Sequence, residues 1–215
     1  LKFNKELVGE IPIDALASKA PLYDRKWTKT KLPEKKIKTK DLSKIKLEDA
    51  LIKILSSPNQ SNKTWITEQF DQMVMTNTAQ KSGGDAAVIR IHKKEKAIAV
   101  TVDSSANYCK AHPLTGGKQI VCESWRNLIS VGAKPVAITN CLNFGNPENP
   151  KVMGEFAECL SGIKEACEFL DYPVVSGNVS FYNGTNNKNI DPTPVIGGVG
   201  LIKESKNKIS HLLKK

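Results

Sequence analysis

Short apolar segments alternate with long amphipathic segments in the second half of the chain, and this order constrains the fold more than any other feature. Two runs rich in alanine, valine and isoleucine, at 86–91 and 97–102, flank a charged turn and predict a β-hairpin. Three further apolar runs predict strands at 136–142, 173–175 and 195–202. Strands separated by helical segments favour helices packed on a sheet over an all-helical or all-β domain.

Two amphipathic helices are predicted between these strands. The first follows Gly117 and ends near Gly132, because glycine suits the residue after a helix C-terminus. The second begins at Pro150, since proline is favoured in a first helical turn. Its apolar stripe is formed by Met153, Phe156, Ala157, Leu160, Ile163, Cys167 and Leu170. The order β-β-α-β-α-β-β predicts an α+β or α/β domain with helices packed on one sheet.

The domain itself is predicted at 46–202. Residues 1–45 are expected to be a tail and a basic linker with one short strand at 11–14, and 203–215 a basic tail. Helical spacing predicts an amphipathic helix at 47–57 and a second helix at 64–72, with Trp65 and Phe70 facing inward. The chain starts without methionine or a signal-peptide core. We expect it to be part of a larger enzyme.

The charge distribution argues against nucleic acid as a partner. The chain carries 32 Lys and Arg against 22 Asp and Glu, yet residues 85–200 are balanced, with 11 of each sign. The excess lies in the flanks, in lysine-rich runs at 35–40 and 203–215 that lack interleaved aromatic residues. No apolar run approaches the roughly 18 residues of a membrane span. We expect neither nucleic acid nor membrane as a partner.

The five cysteines show no C-x-x-C spacing. An odd number of cysteines without a pattern predicts free, mostly buried thiols in a reducing cytosol. The three histidines have no recognisable catalytic-triad context. The sequence therefore favours a cytoplasmic protein and predicts no catalytic nucleophile or general base.

Four segments are polar or glycine-rich in ways that packing does not require. They lie at 82–85 (Ser-Gly-Gly-Asp), 103–107 (Asp-Ser-Ser-Ala-Asn), 139–147 and 176–180 (Ser-Gly-Asn-Val-Ser). Each by itself could be an ordinary turn or cap. Together they suit a nucleotide, because glycine lets backbone N–H groups approach phosphate and Asn and Asp oxygens suit Mg²⁺. No Walker A or kinase glycine loop is present, so the binding scheme would be a different one.

Several longer sequence strings resemble those of a known family and agree with the predicted nucleotide site. They are the helix at 50–58, EQFDQMV at 68–74, GGDAAV at 83–88, VGAKP at 131–135, CLNFGNP at 141–147, VVSGNVS at 174–180 and PTPVIG at 192–197. In this order they resemble the small, multi-subunit form of phosphoribosylformylglycinamidine synthase, across about 47–202. Relatives of the same fold, such as selenophosphate synthetase and thiamine-monophosphate kinase, lack the 141–147 string.

The resemblance implies a fold and four site residues. It implies the N-terminal domain of the second of two aminoimidazole-ribonucleotide-synthetase-like pairs, in which the sheet contributes half of a central barrel. It assigns ATP contacts to Asn140 and Gly177, a magnesium ligand to Asn178 and a substrate contact to Ser180. The family usually has Asp at the position of Asn140, so the loss of a carboxylate puts the role of Asn140 in question.

The resemblance also implies an activity and partners. ATP would phosphorylate the amide oxygen of formylglycinamide ribonucleotide, and ammonia would then displace the phosphate. The catalytic histidines lie in the family's first half, a glutaminase subunit supplies the ammonia, and a small accessory subunit completes the complex. We expect the isolated domain to self-associate through its sheet and to be inactive by itself. The alternative is an inert assembly domain that only builds the barrel interface.

Overall fold

A computed structural model describes residues 1–32, 44–69, 77–80 and 83–210. Several sequence predictions fall outside these ranges: the inward-facing Phe70, the loop residue Ser82, the basic run at 35–40 and the last five residues of the C-terminal tail. Among the described helices, none is long and apolar enough to cross a membrane.

The described parts of the N-terminal region, 1–32 and 44–69, form short elements. A two-stranded ribbon pairs β1 (Lys2–Phe3) with β2 (Glu6–Leu7), and the described helices are α1 (Ile13–Leu16), α2 (Leu47–Leu55) and α3 (Thr64–Thr67). The strand predicted at 11–14 is wrong, because Pro12 precedes a helical turn that carries Asp14 at its positive end. The helix predicted from residue 47 is confirmed.

Burial in this region differs from the prediction. Trp65 is 66% exposed, so its predicted inward orientation is wrong. The apolar residues of α2 are also exposed, Leu51 at 55% and Ile54 at 59%. No residue in 1–32 or 44–69 is buried. The physical reason is that no described element packs over these helices.

One stretch of this region is attached to the rest of the chain. The Thr28 N–H donates to the Pro150 carbonyl at 3.0 Å, and the Thr30 N–H donates to Glu158 Oε2 at 2.9 Å. Arg25 lies 3.5 Å from Glu148. Residues 25–30, which we call the strap, therefore cross the first half of the long helix that begins at Pro150.

The remaining elements form one mixed sheet with helices. The strands are β3 (Thr78–Gln80), β4 (Ala87–Arg90), β5 (Ala97–Asp103), β6 (Lys134–Asn143), β7 (Val174–Ser180) and β10 (Thr193–Ile202). The helices are α4 (Ala106–Ala111), α5 (Pro113–Ser130) and α6 (Pro150–Leu170). A small hairpin of β8 (Gly184–Thr185) and β9 (Lys188–Asn189) follows β7. The sheet order is β3-β4-β5-β10-β6-β7.

The sheet pairing confirms the predicted hairpin, since β4 and β5 are antiparallel. The pair β6–β7 is parallel, and β10 lies antiparallel between β5 and β6. Gly132 has a φ of 83° after the end of α5, as predicted for a C-terminal glycine. Pro150 begins α6 behind the cap residue Asn149, whose side chain accepts from the Lys151 N–H.

The core lies between one face of the sheet and the helices α5 and α6. Fully buried side chains include Ile120 and Leu128 of α5, Ile138 of β6 and Ile196 of β10. The stripe predicted for α6 is confirmed as its inner side: Ile163 and Cys167 are buried, Phe156, Leu160 and Leu170 pack against the core, and Met153 and Ala157 are partly buried. Gly162 meets α5 closely: a Cβ there would lie far inside contact distance of the Leu114 carbonyl oxygen.

All five cysteines are free, as predicted. Cys109, Cys159 and Cys167 are buried, while Cys122 and Cys141 are partly exposed. Burial raises the pKa of the Cys167 thiol to about 11. These thiols therefore behave as small core residues, which agrees with the prediction that they are mostly buried.

Candidate functional site

The four glycine-rich or polar segments meet at one end of the sheet. Strands β5, β6 and β7 run in the same direction, because β10 is antiparallel to β5 and to β6, and β7 is parallel to β6. Their carboxyl ends therefore lie together. The segment at 83–85 precedes β4, which is antiparallel to β5, and so reaches the same end. Ligands of open α/β sheets bind at such a place.

Two of these segments lie largely within strands. Residues 139–142 belong to β6, in agreement with the strand predicted at 136–142, whereas 176–180 belong to β7, so the strand end predicted at residue 175 is wrong. The cause is tertiary pairing: Thr139, Asn140 and Asn143 lie opposite Ser176, Gly177 and Ser180 in a parallel ladder. Glycine, asparagine and serine disfavour strands by themselves, and the ladder overrides that preference.

Asn140 and Gly177 are direct neighbours across this ladder. A Cβ on Gly177 would overlap the Asn140 side-chain oxygen, so glycine is required for the carboxamide to lie against β7. Asn140 lines a cavity together with Leu160 and Ile163 of α6, which places its side chain on the helix-covered face of the sheet.

Asn178 and Ser180 lie on the opposite, open face, because successive side chains of a strand alternate between faces. On this face the Ser176 hydroxyl donates to the Thr139 hydroxyl at 2.8 Å. Asn178 pairs in register with Cys141. The sequence analysis placed all four site residues in one cluster and did not predict that they lie on two faces of the sheet. A strand over 176–180 would have predicted the two faces, because side chains alternate along a strand.

The open face continues as an apolar surface away from these polar residues. It includes Ile89 of β4, Val102 of β5 and Val199 of β10, which are 38%, 72% and 38% exposed. The open face is therefore polar on β6 and β7 and apolar on β4, β5 and β10.

Asp103 belongs to the same row of the sheet but has a different environment. It lies opposite Ile196 of β10, which in turn lies opposite Asn140. Its carboxylate accepts hydrogen bonds from the Thr101 hydroxyl and the Asn127 amide, both at 2.7 Å. Burial raises its pKa, and the two hydrogen bonds oppose that rise. Both oxygens are thus engaged inside the protein, which makes Asp103 a structural residue.

A groove lies beneath β7 on the helix-covered face. Two adjoining cavities of about 430 and 490 Å³ share Asn140, Leu160 and Val174. The second is also lined by residues 174–179 of β7. The groove is lined by aliphatic residues together with the Asn140 carboxamide and the charged residues Lys164, Glu168 and Asp171, a mixture of apolar and polar groups that suits a small-molecule site.

The described residues form a mixed sheet covered by helices on one face, with polar residues at the shared carboxyl end of β5, β6 and β7, which defines an α/β sandwich domain with a candidate ligand site at that end. Residues 83–202 match the family described as AIR synthase related protein, N-terminal domain. The chain belongs to this family, which confirms the fold class implied by the resemblance.

The curated relatives are more specific. The chain is 59% identical over 215 residues to phosphoribosylformylglycinamidine synthase subunit PurL of Pelagibacter ubique, covering 100% of this chain and 30% of the relative. It is 48% identical over 205 residues to the same subunit of Azorhizobium caulinodans, covering 95% of this chain and 28% of the relative. The chain thus spans about 30% of the length of the relatives it matches.

Solved structures give the same result. Thermotoga maritima PurLQS is similar with a TM-score of 0.74 and 32% identity, covering 98% of this chain and 32% of that chain. Thermotoga maritima PurL complexed with ATP is similar with a TM-score of 0.70 and 33% identity, covering 95% of this chain and 31% of that chain. A PurL structure from the same organism complexed with FGAR has a TM-score of 0.68, 32% identity, and coverage of 97% and 31%.

Proposed function

We propose that this chain supplies nucleotide and substrate contacts to the ATP-dependent ligase that converts formylglycinamide ribonucleotide to formylglycinamidine ribonucleotide in purine biosynthesis. The observation that carries the proposal is the 59% identity to a PurL subunit over the whole chain. The ATP and FGAR complexes of Thermotoga maritima PurL support the choice of ligands. In this proposal the activity belongs to an assembly larger than 215 residues.

The proposed roles divide between the two faces of the sheet. Asn140 and Gly177 would contact ATP, and their close packing on the helix-covered face supports a shared ligand. Asn178 would contribute a metal ligand and Ser180 a substrate contact on the open face. The chain holds these groups on paired strands, which fixes their positions better than a loop would.

The donor set fits magnesium only as part of a nucleotide complex. Asn178 and Ser180 offer neutral oxygens, and no three His, Cys, Asp or Glu side chains cluster as a metal site within the described ranges. Mg²⁺ prefers oxygen ligands and keeps several waters and phosphate oxygens. When bound, it would neutralise charge on the phosphoryl group being transferred. Asn140, where the family usually has Asp, removes one negative charge from this neighbourhood.

The proposal includes partners and a location. The other domains of the synthase would cover the open apolar face, a glutaminase subunit would supply ammonia, and a small accessory subunit would complete a cytoplasmic complex. The solved PurLQS assembly supports such partners. The apolar residues of the open face also support self-association of the isolated chain. They equally favour the second candidate, an inert assembly domain.

A chimera tests the function. The matching stretch of Pelagibacter ubique PurL is replaced by these 215 residues, and ATP- and ammonia-dependent synthase activity is measured with the chimera, with its Asn178→Ala variant and with this chain alone. The chimera is expected to be active and the chain alone inactive. Asn178→Ala is expected to lower kcat/KM at least about tenfold, or roughly 1.4 kcal/mol of transition-state stabilisation.

Asn59→Ala in the same chimera is the matched control, since Asn59 lies in the exposed turn after α2. It should leave kcat/KM unchanged. Full activity of the Asn178→Ala chimera would favour the assembly domain and remove the metal role. Lower thermal stability without lower activity would show that Asn178 only supports the strand.

A further inference from the structure

One side chain joins the ends of β6 and β7 and lies outside the sequence strings that carry the family resemblance. Asn183 follows the string at 174–180 and precedes the hairpin of β8 and β9. Its Nδ2 lies 3.0 Å from each of three acceptors: the Phe144 carbonyl just after β6, the Ser180 carbonyl and Ser180 Oγ. Its Oδ1 lies 3.3 Å from the same hydroxyl. The carboxamide therefore contacts the Ser180 side chain through both of its polar atoms.

The backbone of Asn183 is held on both sides. Its N–H donates to the Phe144 carbonyl at 3.2 Å, and its own carbonyl accepts from the Ile190 N–H at 3.1 Å. Phe144 is buried, and its ring packs edge-on against Phe156 of α6 with 5.1 Å between the centroids. A side chain is positioned accurately when its backbone and its hydrogen-bond partners are themselves fixed. The core thus fixes Asn183, and Asn183 in turn contacts Ser180.

The hydrogen-bonding capacity of the carboxamide decides what it does for the Ser180 hydroxyl. An asparagine has two N–H protons and one acceptor oxygen, whereas a serine hydroxyl rotates to suit its partners. When both protons go to the two carbonyls, the hydroxyl donates to Oδ1 and keeps lone pairs for a ligand. When one proton goes to the hydroxyl, the hydroxyl keeps its own proton for a ligand. In both arrangements Ser180 Oγ stays in place and retains a hydrogen bond for a bound molecule.

We propose that Asn183 is the positioning residue for Ser180. It holds the Ser180 hydroxyl in the orientation that receives formylglycinamide ribonucleotide, and it acts through Ser180. This inference rests on the proposed function and on the proposed substrate contact of Ser180. The local sequence does not indicate the role, because asparagine beside a hairpin is an ordinary turn residue.

A double-mutant cycle in the PurL chimera tests the inference. We measure kcat/KM for formylglycinamide ribonucleotide with Ser180→Ala, with Asn183→Ala and with the double variant. Ser180→Ala should lower kcat/KM about tenfold and Asn183→Ala at least about fivefold, through KM for this substrate and not through KM for ATP. Since Asn183 acts through Ser180, adding Asn183→Ala to Ser180→Ala should change kcat/KM by less than about twofold.

Asn189→Ala is the matched control, because it removes a carboxamide from the same hairpin. The Asn189 side chain accepts from the Asn146 N–H at 2.9 Å, away from Ser180. Its effect on kcat/KM should multiply with that of Ser180→Ala. Thermal unfolding shows which chimeras are folded. If Asn183→Ala does not fold, Asn183→Asp replaces it in the cycle, since aspartate keeps the size and an acceptor oxygen but loses both N–H donors.

The outcomes separate this inference from the proposed function. If the unsubstituted chimera is active but the effects of Asn183→Ala and Ser180→Ala multiply, Asn183 acts elsewhere; the inference is then wrong and the function stands. Full activity of the Ser180→Ala chimera would remove the substrate contact and the positioning role together, and would again leave the function intact. An inactive, folded, unsubstituted chimera would overturn both.

Discussion

The N-terminal region and the sheet domain carry similar apolar patterns but differ in burial. Helix α2 has an apolar side as regular as that of α5, yet Leu51 is 55% exposed whereas Leu128 of α5 is completely buried. The difference lies in what covers each helix. The sheet receives α5 and α6, while no described element packs over α2. Amphipathic spacing predicts that a helix forms, but burial depends on a complementary surface.

The largest expected effect is the difference in unfolding free energy between two Leu→Ala substitutions, one in the sheet domain and one in the N-terminal region. Leu128→Ala removes a fully buried side chain from the core and should lower the free energy of unfolding by about 3 kcal/mol. Leu51→Ala removes an exposed one and should change it by less than about 0.5 kcal/mol. Urea unfolding of both variants checks the difference. A loss of comparable size at Leu51 would mean that α2 is covered in solution, by a second copy or by the same chain.

Two glycines of α6 give a smaller and sharper comparison. A Cβ at Gly162 would lie far inside contact distance of the Leu114 carbonyl oxygen of α5, and a Cβ at Gly154 would lie equally close to the Thr28 carbonyl oxygen of the strap. Gly162→Ala should cost about 2 kcal/mol, because two core helices would have to separate. Gly154→Ala should cost less than about 0.5 kcal/mol or stabilise slightly, since the strap can move and alanine favours helix.

Urea unfolding measures both glycine variants, and amide hydrogen exchange of residues 25–30 provides the local readout. Faster exchange in Gly154→Ala at unchanged global stability is the expected pattern. An equal loss of unfolding free energy in both variants would instead show that the strap unfolds together with the core. The strap would then belong to the sheet domain and not to the exposed N-terminal region.

The smallest expected effect is a pH dependence at Asp103. Burial raises the pKa of this carboxyl in the folded chain above its value in the unfolded chain. The folded protein therefore binds the proton more tightly, so Asp103 contributes stability at low pH that is lost as the pH rises through the raised folded-state pKa. Relative to Asp103→Asn, the wild-type protein should gain stability as the pH falls toward the ordinary aspartate range.

Chemical unfolding of the wild type and Asp103→Asn across that pH range measures the difference. Circular dichroism confirms that the variant is folded before the comparison is made. A difference that stays constant with pH would mean that the Thr101 and Asn127 hydrogen bonds cancel the effect of burial.

The sequence by itself determined those helices and strands that depend only on neighbouring residues. The hairpin of β4 and β5, the start of α6 at Pro150 and the end of α5 before Gly132 follow from periodicity and from backbone preferences of single residues. The family strings indicated Asn140, Gly177, Asn178 and Ser180 as the candidate site. Their roles remain predictions.

Tertiary structure decided what depends on partners distant in sequence. Residues 176–180 became strand only because β6 offered them a parallel ladder. That pairing placed Asn140 and Gly177 on one face and left Asn178 and Ser180 on the other. The apolar side of α5 is buried because it packs against the sheet and α6. The apolar side of α2 is exposed because no described element packs over it. Local propensity is a fraction of a kcal/mol per residue, whereas pairing and burial contribute more, so long-range contacts decide whenever the two disagree.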